Sequence, residues 1–176
     1  MGYWNSRGLR GSALEDTINQ TNEQYRRQGI ALIQKIPTPI VPVEMDSEGH
    51  NIRKAYFDKK STVDYIGVMG GIPLCFDAKE TGKPYLPFSN IHAHQVEFMR
   101  DFNRQGGIAF LLVHFTASSA YYLLPFETLE AYYEGEGRRS IPREAFEEQY
   151  RIPEPEACLH YLSAALTYYR NKKEQE

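Results

Sequence analysis

Three residues stand out for the chemistry they could do together: Asp64, Asp77 and Lys79. The stretches Thr62 to Val68 and Ile72 to Lys79 are apolar and extended in character, and Met69-Gly70-Gly71 separates them, which predicts a β-hairpin with a tight glycine turn. With Gly70 and Gly71 as the turn residues, Met69 faces Ile72, Asp64 faces Asp77 and Thr62 faces Lys79. Directly opposed side chains have Cβ atoms roughly 4.5–5.5 Å apart, where like charges repel. A divalent cation is the natural reason to tolerate that, because magnesium is commonly held by one or two carboxylates while water and substrate phosphate complete its shell. Such an ion would polarise a phosphodiester and acidify a bound water. Lys79, one strand repeat from Asp77 on the same face, would orient that water or stabilise charge developing on the phosphorus-bound oxygens. Thr62 joins Asp64 and Asp77 as a metal-site candidate.

The plainer alternative is a solvated sheet face on which Asp64 and Lys79 form a diagonal ion pair and Asp77 meets water. For an Asp-x-Lys alone that alternative is the better one. The facing Asp64 and the apolar residues expected on the opposite face, Val63, Tyr65, Leu74, Phe76 and Ala78, count for a site, with the core behind and the charges in front. Two more polar residues have paired readings. Glu15 fits a capping box with Ser12 or a third acid near the metal. Gln95 is a polar residue at a helix start or an amide that positions water.

The elements that must position these groups follow from pattern. Ser12 opens a helix in which Leu14, Ile18 and Tyr25 share a face and Gly29 ends it; Ile30 to Ile36 reads as a strand closed by Pro37 and Pro39. Residues 40–57 form two extended segments around Asp46-Ser47-Glu48-Gly49, a projecting hairpin arm of sparse apolar content. Ser89-Asn90 starts a helix carrying Ile91, Gln95, Phe98, Met99 and Phe102, which stops at Gly106-Gly107. Ile108 to Phe115, the most apolar run, is a central strand paired with Ala120 to Leu124; a short helix spans Phe126 to Tyr133, and a terminal helix after Pro155 carries Leu159, Leu162, Leu166 and Tyr169.

Composition sets the class. The chain has 176 residues, 41% hydrophobic and 24% charged, which fits one domain with a full core and argues against disorder. No apolar run suits a bilayer and the first residues lack a signal-peptide stretch, so the cytoplasm is the default expectation and no membrane partner is expected. Cys75 and Cys158 are far apart and read as buried thiols; His92 and His94 lack a third ligand at zinc spacing. The net charge of −3 means that any grip on nucleic acid must come from a local basic surface.

An ordered series of short motifs resembles the RecU family of Holliday-junction resolvases: Ser6-Arg7-Gly8, Leu14-Glu15-Asp16, Lys35-Ile36-Pro37-Thr38-Pro39, Ala55-Tyr56-Phe57, Ser61-Thr62-Val63-Asp64-Tyr65, Phe76-Asp77-Ala78-Lys79-Glu80-Thr81, His94-Gln95 and Arg139-Ser140-Ile141. The resemblance implies an α/β, restriction-endonuclease-like mixed β-sheet flanked by helices, one nuclease domain over 1–176 with a stalk hairpin at 40–57 that enters the junction centre. It implies a homodimeric, Mg²⁺- or Mn²⁺-dependent endonuclease acting on branched DNA, with a RecA-type recombinase as a further partner. Asp64 and Asp77 would hold metal, Lys79 would be the catalytic lysine, and Glu15 and Gln95 would stand at the family's helix glutamate and glutamine. DNA contacts are expected at Arg7 or Arg10, at Lys35, and at Arg53, Lys54, Tyr56 and Phe57 in the arm. Asp77 stands where members of the family carry glutamate, and an insertion over Arg7-Gly8-Leu9-Arg10-Gly11 leaves either arginine as the phosphate contact. Two other readings remain: a related nuclease for flaps, ends or duplex, and a non-catalytic DNA-binding modulator of a recombinase.

Overall fold

Helix α1 (Ala13–Arg27) buries Leu14, Ile18, Thr21, Asn22 and Tyr25 along one face, as the apolar spacing requires. It ends where Gly29 adopts φ +68° and the Ile30 amide returns to the Tyr25 carbonyl at 2.9 Å. These observations come from a computed structural model, which describes residues 13–37, 40–57 and 62–175, with main chain only at Phe57 and Gln175.

Strand β1 (Ala31–Lys35) follows, then β2 (Ile40–Met45) and β3 (Ile52–Phe57), then the hairpin of β4 (Tyr65–Met69) and β5 (Ile72–Thr81). Short β6 (Tyr85–Pro87) precedes α2 (Ala93–Arg104), β7 (Ile108–Phe115), β8 (Ala120–Pro125) and α3 (Phe126–Tyr133); β9 (Ser140–Pro142), β10 (Arg151–Ile152) and α4 (Leu162–Gln175) complete the chain. One six-stranded sheet runs in the order β1-β4-β5-β7-β8-β10. Its β5 and β7 are parallel and the other pairs antiparallel, giving the mixed sheet expected.

Both faces are covered. Residues of α1 and α4 pack with Tyr65, Leu74, Phe76, Phe110 and Leu112 on one side. Residues of α2 and α3 pack with Cys75, Leu111, Val113 and Leu124 on the other. Three rings stack across adjacent strands within the first layer: Tyr65 on Phe76 at 4.7 Å and Phe76 on Phe110 at 5.0 Å between centroids. Such pairs contribute beyond area burial, on the order of 1 kcal/mol each. They also lock the backbone beside Asp64 and Asp77, the residues adjacent to the first two rings.

Strands β2 and β3 form a separate two-stranded sheet, with register shifts around Glu44 and a turn in which Asp46 Oδ1 accepts the His50 amide at 2.8 Å. Ile40, Val43, Met45, Ile52 and Tyr56 stay exposed on it.

Several expectations are corrected. The first strand of the β4–β5 hairpin begins at Tyr65, three residues later than expected, and Thr62 is not paired with Lys79. Val63 is buried in the α2–α3 layer, not beside Tyr65, because the chain has left the ladder and alternation no longer applies. The charged face is not simply in front of the core: Cys75, on the same side as Asp77, is buried under α2. Helix α2 starts at Ala93 after a separate 3-10 turn at Phe88–Asn90. The last helix starts at Leu162; Leu159 lies before it, its amide held by Thr21 Oγ1 at 2.9 Å. Cys158 is only half-buried. Among the described residues no helix is long and apolar enough to cross a membrane.

Candidate active site

Beyond Tyr65 and Phe76 the β4–β5 ladder stops, and two side chains take over its amides. The Asp64 amide donates to Asp77 Oδ1 at 2.9 Å, and the Ala78 amide donates to Asp64 Oδ2 at 3.0 Å. Each aspartate therefore spends one oxygen on the neighbouring strand's backbone. This reciprocal exchange ends the regular pairing and sets the two acids face to face.

Asp77 is fully buried, and its Oδ2 has no hydrogen-bond donor in proper geometry among the described residues. Lys79 Nζ lies directly against that oxygen. Lys79 is thus the counter-charge of this oxygen, held as an ion pair and not as a well-angled hydrogen bond. Burial, then the charge of Asp77, push the Asp64 carboxyl up to about 6. Burial together with Glu15, Asp64, Asp16 and Asp77 likewise holds the Tyr65 phenol well above its ordinary value. The end of this hairpin crowds two carboxylates beside one lysine ammonium.

Lys79 is held from a second side, donating to Gln95 Oε1 at 3.2 Å; the same oxygen accepts the His92 amide at 3.1 Å, so Gln95 caps α2 while steadying the lysine. Gln95 is itself buried. Glu15 reaches this end of the molecule on α1, where its carboxylate pairs with Lys35 at 2.5 Å and its carbonyl accepts from the Tyr65 hydroxyl at 3.4 Å. Its proposed cap partner Ser12 lies outside the described residues. No group of three or more His, Cys, Asp or Glu residues among those described is arranged to hold a metal, so Glu15 does not complete a triad with the two aspartates. Thr62 is half-exposed and off the ladder. His92 and His94 stack on each other, centroids 5.5 Å apart. A cleft of about 640 Å³ lined by Pro73, Phe98, Phe102, Arg104 and Gly107 holds none of the site's acids.

The family described as Recombination protein U, RecU, matches residues 9–166. The chain belongs to the RecU family. Among RecU proteins it is 44% identical over 147 residues to the Holliday junction resolvase RecU of Ligilactobacillus salivarius, covering 80% of this chain and 69% of that one. It is 41% identical over 149 residues to that of Pediococcus pentosaceus, covering 81% and 74%, and 42% identical over 147 residues to that of Geobacillus sp., covering 80% and 73%. The fold is shared with Archaeoglobus fulgidus Hjc, a Holliday junction resolvase, at TM-score 0.50 and 15% identity over 88% of this chain and 99% of that one. That likeness bears out the restriction-endonuclease-like fold expected for RecU.

Of the RecU residues expected on DNA, Arg7 and Arg10 lie outside the described residues. Lys35 is engaged with Glu15. Arg53, Lys54 and Tyr56 are exposed on β3, and Phe57 is its last residue. Sequence reading missed the backbone exchange at Ala78 and the double use of Gln95 Oε1. A capping signal at His92 with Gln95 three residues on was the one clue to the latter.

Proposed function

We propose that this RecU-family chain is an endonuclease that nicks opposed strands of four-way DNA junctions in recombination and repair, with Mg²⁺ or Mn²⁺ held by Asp64 and Asp77. The observation that carries this reading is two carboxylates, the fully buried Asp77 and Asp64 with its raised pKa, set face to face beside the Lys79 ammonium. Lys79 offsets only one of the two negative charges crowded there, and one or two carboxylates are what a hydrated magnesium ion uses. A cation held by Asp64 and Asp77 would supply Lewis-acid polarisation of the scissile phosphate and an acidified water.

The chain's own groups have complementary tasks. Lys79, steered by Asp77 and Gln95, presents its ammonium where charge develops on the phosphate oxygens. Phe76 and Tyr65, stacked behind the acids, keep the two strands from spreading. The exposed hairpin 40–57, with Arg53, Lys54 and Tyr56 on one strand, is suited to enter an open junction centre as a stalk. Paired nicks in opposed strands are suited to two sites acting together, and the reading includes the homodimer that the family resemblance implies. A RecA-type recombinase is a further partner of this reading, carried over from the family resemblance.

The test is cleavage of a four-way junction and of linear duplex of the same sequence, with and without Mg²⁺. Paired nicks confined to the junction and abolished by chelator are expected. Undiminished cutting by Asp77→Ala would remove the site from the proposal.

A further inference from the structure

The cations of the described chain divide by what they touch. Arg26, Arg27, Arg100, Arg104, Arg151 and Lys172 all lie against carboxylates. Arg53, Lys54, Arg143, Arg170, Lys83, Arg138 and Arg139 have no carboxylate within ion-pair distance among the described residues, although acids outnumber cations in this chain, 23 to 20. Of these, Lys83, Arg138 and Arg139 flank one small structure, the β6–β9 ladder that pairs Tyr85 with Pro142 and Pro87 with Ser140.

That ladder is wired to the catalytic strand. Lys83 begins the turn that leaves β5, its amide held by Thr81 Oγ1 at 3.1 Å, while Thr81 Oγ1 donates to the Tyr85 carbonyl at 3.3 Å. On the other strand, the Arg139 carbonyl accepts the Phe88 amide at 3.0 Å. Phe88 in turn holds the Ile91 amide at 3.0 Å, and the next residue, His92, shares Gln95 Oε1 with Lys79. The basic residues are thus fixed to the same end of the sheet as the two aspartates, through a short run of hydrogen bonds.

Two of the three are also laid on rings. The Arg138 guanidinium sits 4.5 Å from the Tyr132 ring centroid, across Gly135, where a Cβ would come 3.3 Å from Arg138 Cδ. Lys83 Nζ is 5.4 Å from the Tyr85 ring centroid. A ring beneath a cation limits its rotamers without consuming its hydrogen-bond donors. Arg138 and Arg139 are exposed. Glu134, just after α3, pairs with Arg100 at 2.5 Å. A guanidinium that is pre-oriented, solvent-facing and unpaired is suited to bidentate contact with phosphate.

We propose that Lys83, Arg138 and Arg139 form a phosphate-binding ridge that grips the backbone of the DNA arm running off the Asp64–Asp77 site. The ridge rests on the nuclease reading and adds to it a contact surface outside the hairpin. Binding of a four-way junction is measured in chelator over roughly 50–200 mM salt, where each phosphate contact adds about −0.9 to the slope of log affinity against log salt. The paired variant Arg138→Ala/Arg139→Ala is expected to bind about tenfold more weakly, with a slope shallower by about 2, and Lys83→Ala with a slope shallower by about 1. Arg104→Glu, at the far end of α2, removes as much positive charge as the paired variant and is expected to leave the slope unchanged. An unchanged slope in both ridge variants, or an equal effect from Arg104→Glu, overturns the ridge while junction binding by the unmodified protein keeps the nuclease reading intact. Unmodified protein that binds no DNA overturns both.

Discussion

Lys79 and the His92 amide converge on one atom, Gln95 Oε1, at 3.2 and 3.1 Å. A single buried amide oxygen thereby ties the start of α2 to the amine proposed to act on phosphate. Gln95 is accordingly a positioning residue: it acts through Lys79. Gln95→Ala is expected to cost about 1 kcal/mol of stability through the lost cap and to lower the cleavage rate constant by roughly tenfold or more, with substrate KM little changed. Single-turnover rates against junction concentration check it, and Gln95→Glu, which keeps an acceptor there, should restore the cap. A parallel loss of KM and rate, tracking only the melting temperature, would point to a merely structural role.

Gly67 is the residue on which the edge of the sheet depends for close approach. A Cβ there would meet the Leu32 carbonyl oxygen at 2.3 Å and Ile33 Cα at 2.7 Å, both on β1. Backbone cannot move aside as a side-chain tip can, so Gly67→Ala is expected to destabilise by about 1–3 kcal/mol through overpacking. Because β1 carries Lys35, the partner of Glu15, the same change should loosen α1 at its N-terminal end. Urea denaturation checks the first expectation and amide exchange in α1 the second; a variant as stable as the parent would show that β1 is not held where its register places it.

How much of this was legible beforehand depends on the range of the interaction. The diglycine turn fixed the register of β4 and β5 correctly, with Met69 opposite Ile72, because hairpin geometry is local. The helix and strand patterns of α1, β7 and α3 were readable for the same reason. What escaped was the point where local rules yield. Nothing in the order of residues says that the Asp64 and Asp77 carboxylates replace the ladder's amide bonds, and so Thr62 was placed opposite Lys79 when it is not. Strands β6, β9 and β10 have two or three residues each, and Pro87 and Pro142 argue against strand in isolation; tertiary contacts decide them. Glu15 looked like a metal candidate from its type, and only the position of Lys35 shows where its carboxylate is spent.

The Asp64 carboxyl gives a pH signature in metal-free protein. Its folded pKa, near 6, exceeds the ordinary carboxylate value of about 3.9 that applies unfolded. Between those values the folded state binds more protons than the unfolded one, so stability falls as pH rises through the window and levels off above it. In chelator, unfolding followed from pH 4 to 7 should therefore show the parent losing stability relative to Asp64→Asn, which cannot ionise. Adding Mg²⁺ above pH 6 should reverse the loss. Parallel pH profiles for the two proteins would mean that Asp64 titrates as an ordinary exposed acid.

Tyr56 separates structural from recognition roles on the hairpin. It is 56% exposed on β3, paired with Val41 in a two-stranded sheet that stands outside the main one. An exposed residue of this kind contributes within about 0.5 kcal/mol to stability, so Tyr56→Ala should melt as the parent does. If the hairpin enters the open centre of a junction, the ring has unstacked bases to meet there and none in linear duplex. Loss of an aromatic–base stack is worth about 1–3 kcal/mol, which predicts a several-fold to hundredfold weaker affinity for the four-way junction and an unchanged affinity for duplex. Competition binding with the two substrates reads the difference directly. Equal weakening on both would make Tyr56 a general backbone contact, and no weakening on either would take the hairpin's tip-to-base strand out of junction recognition.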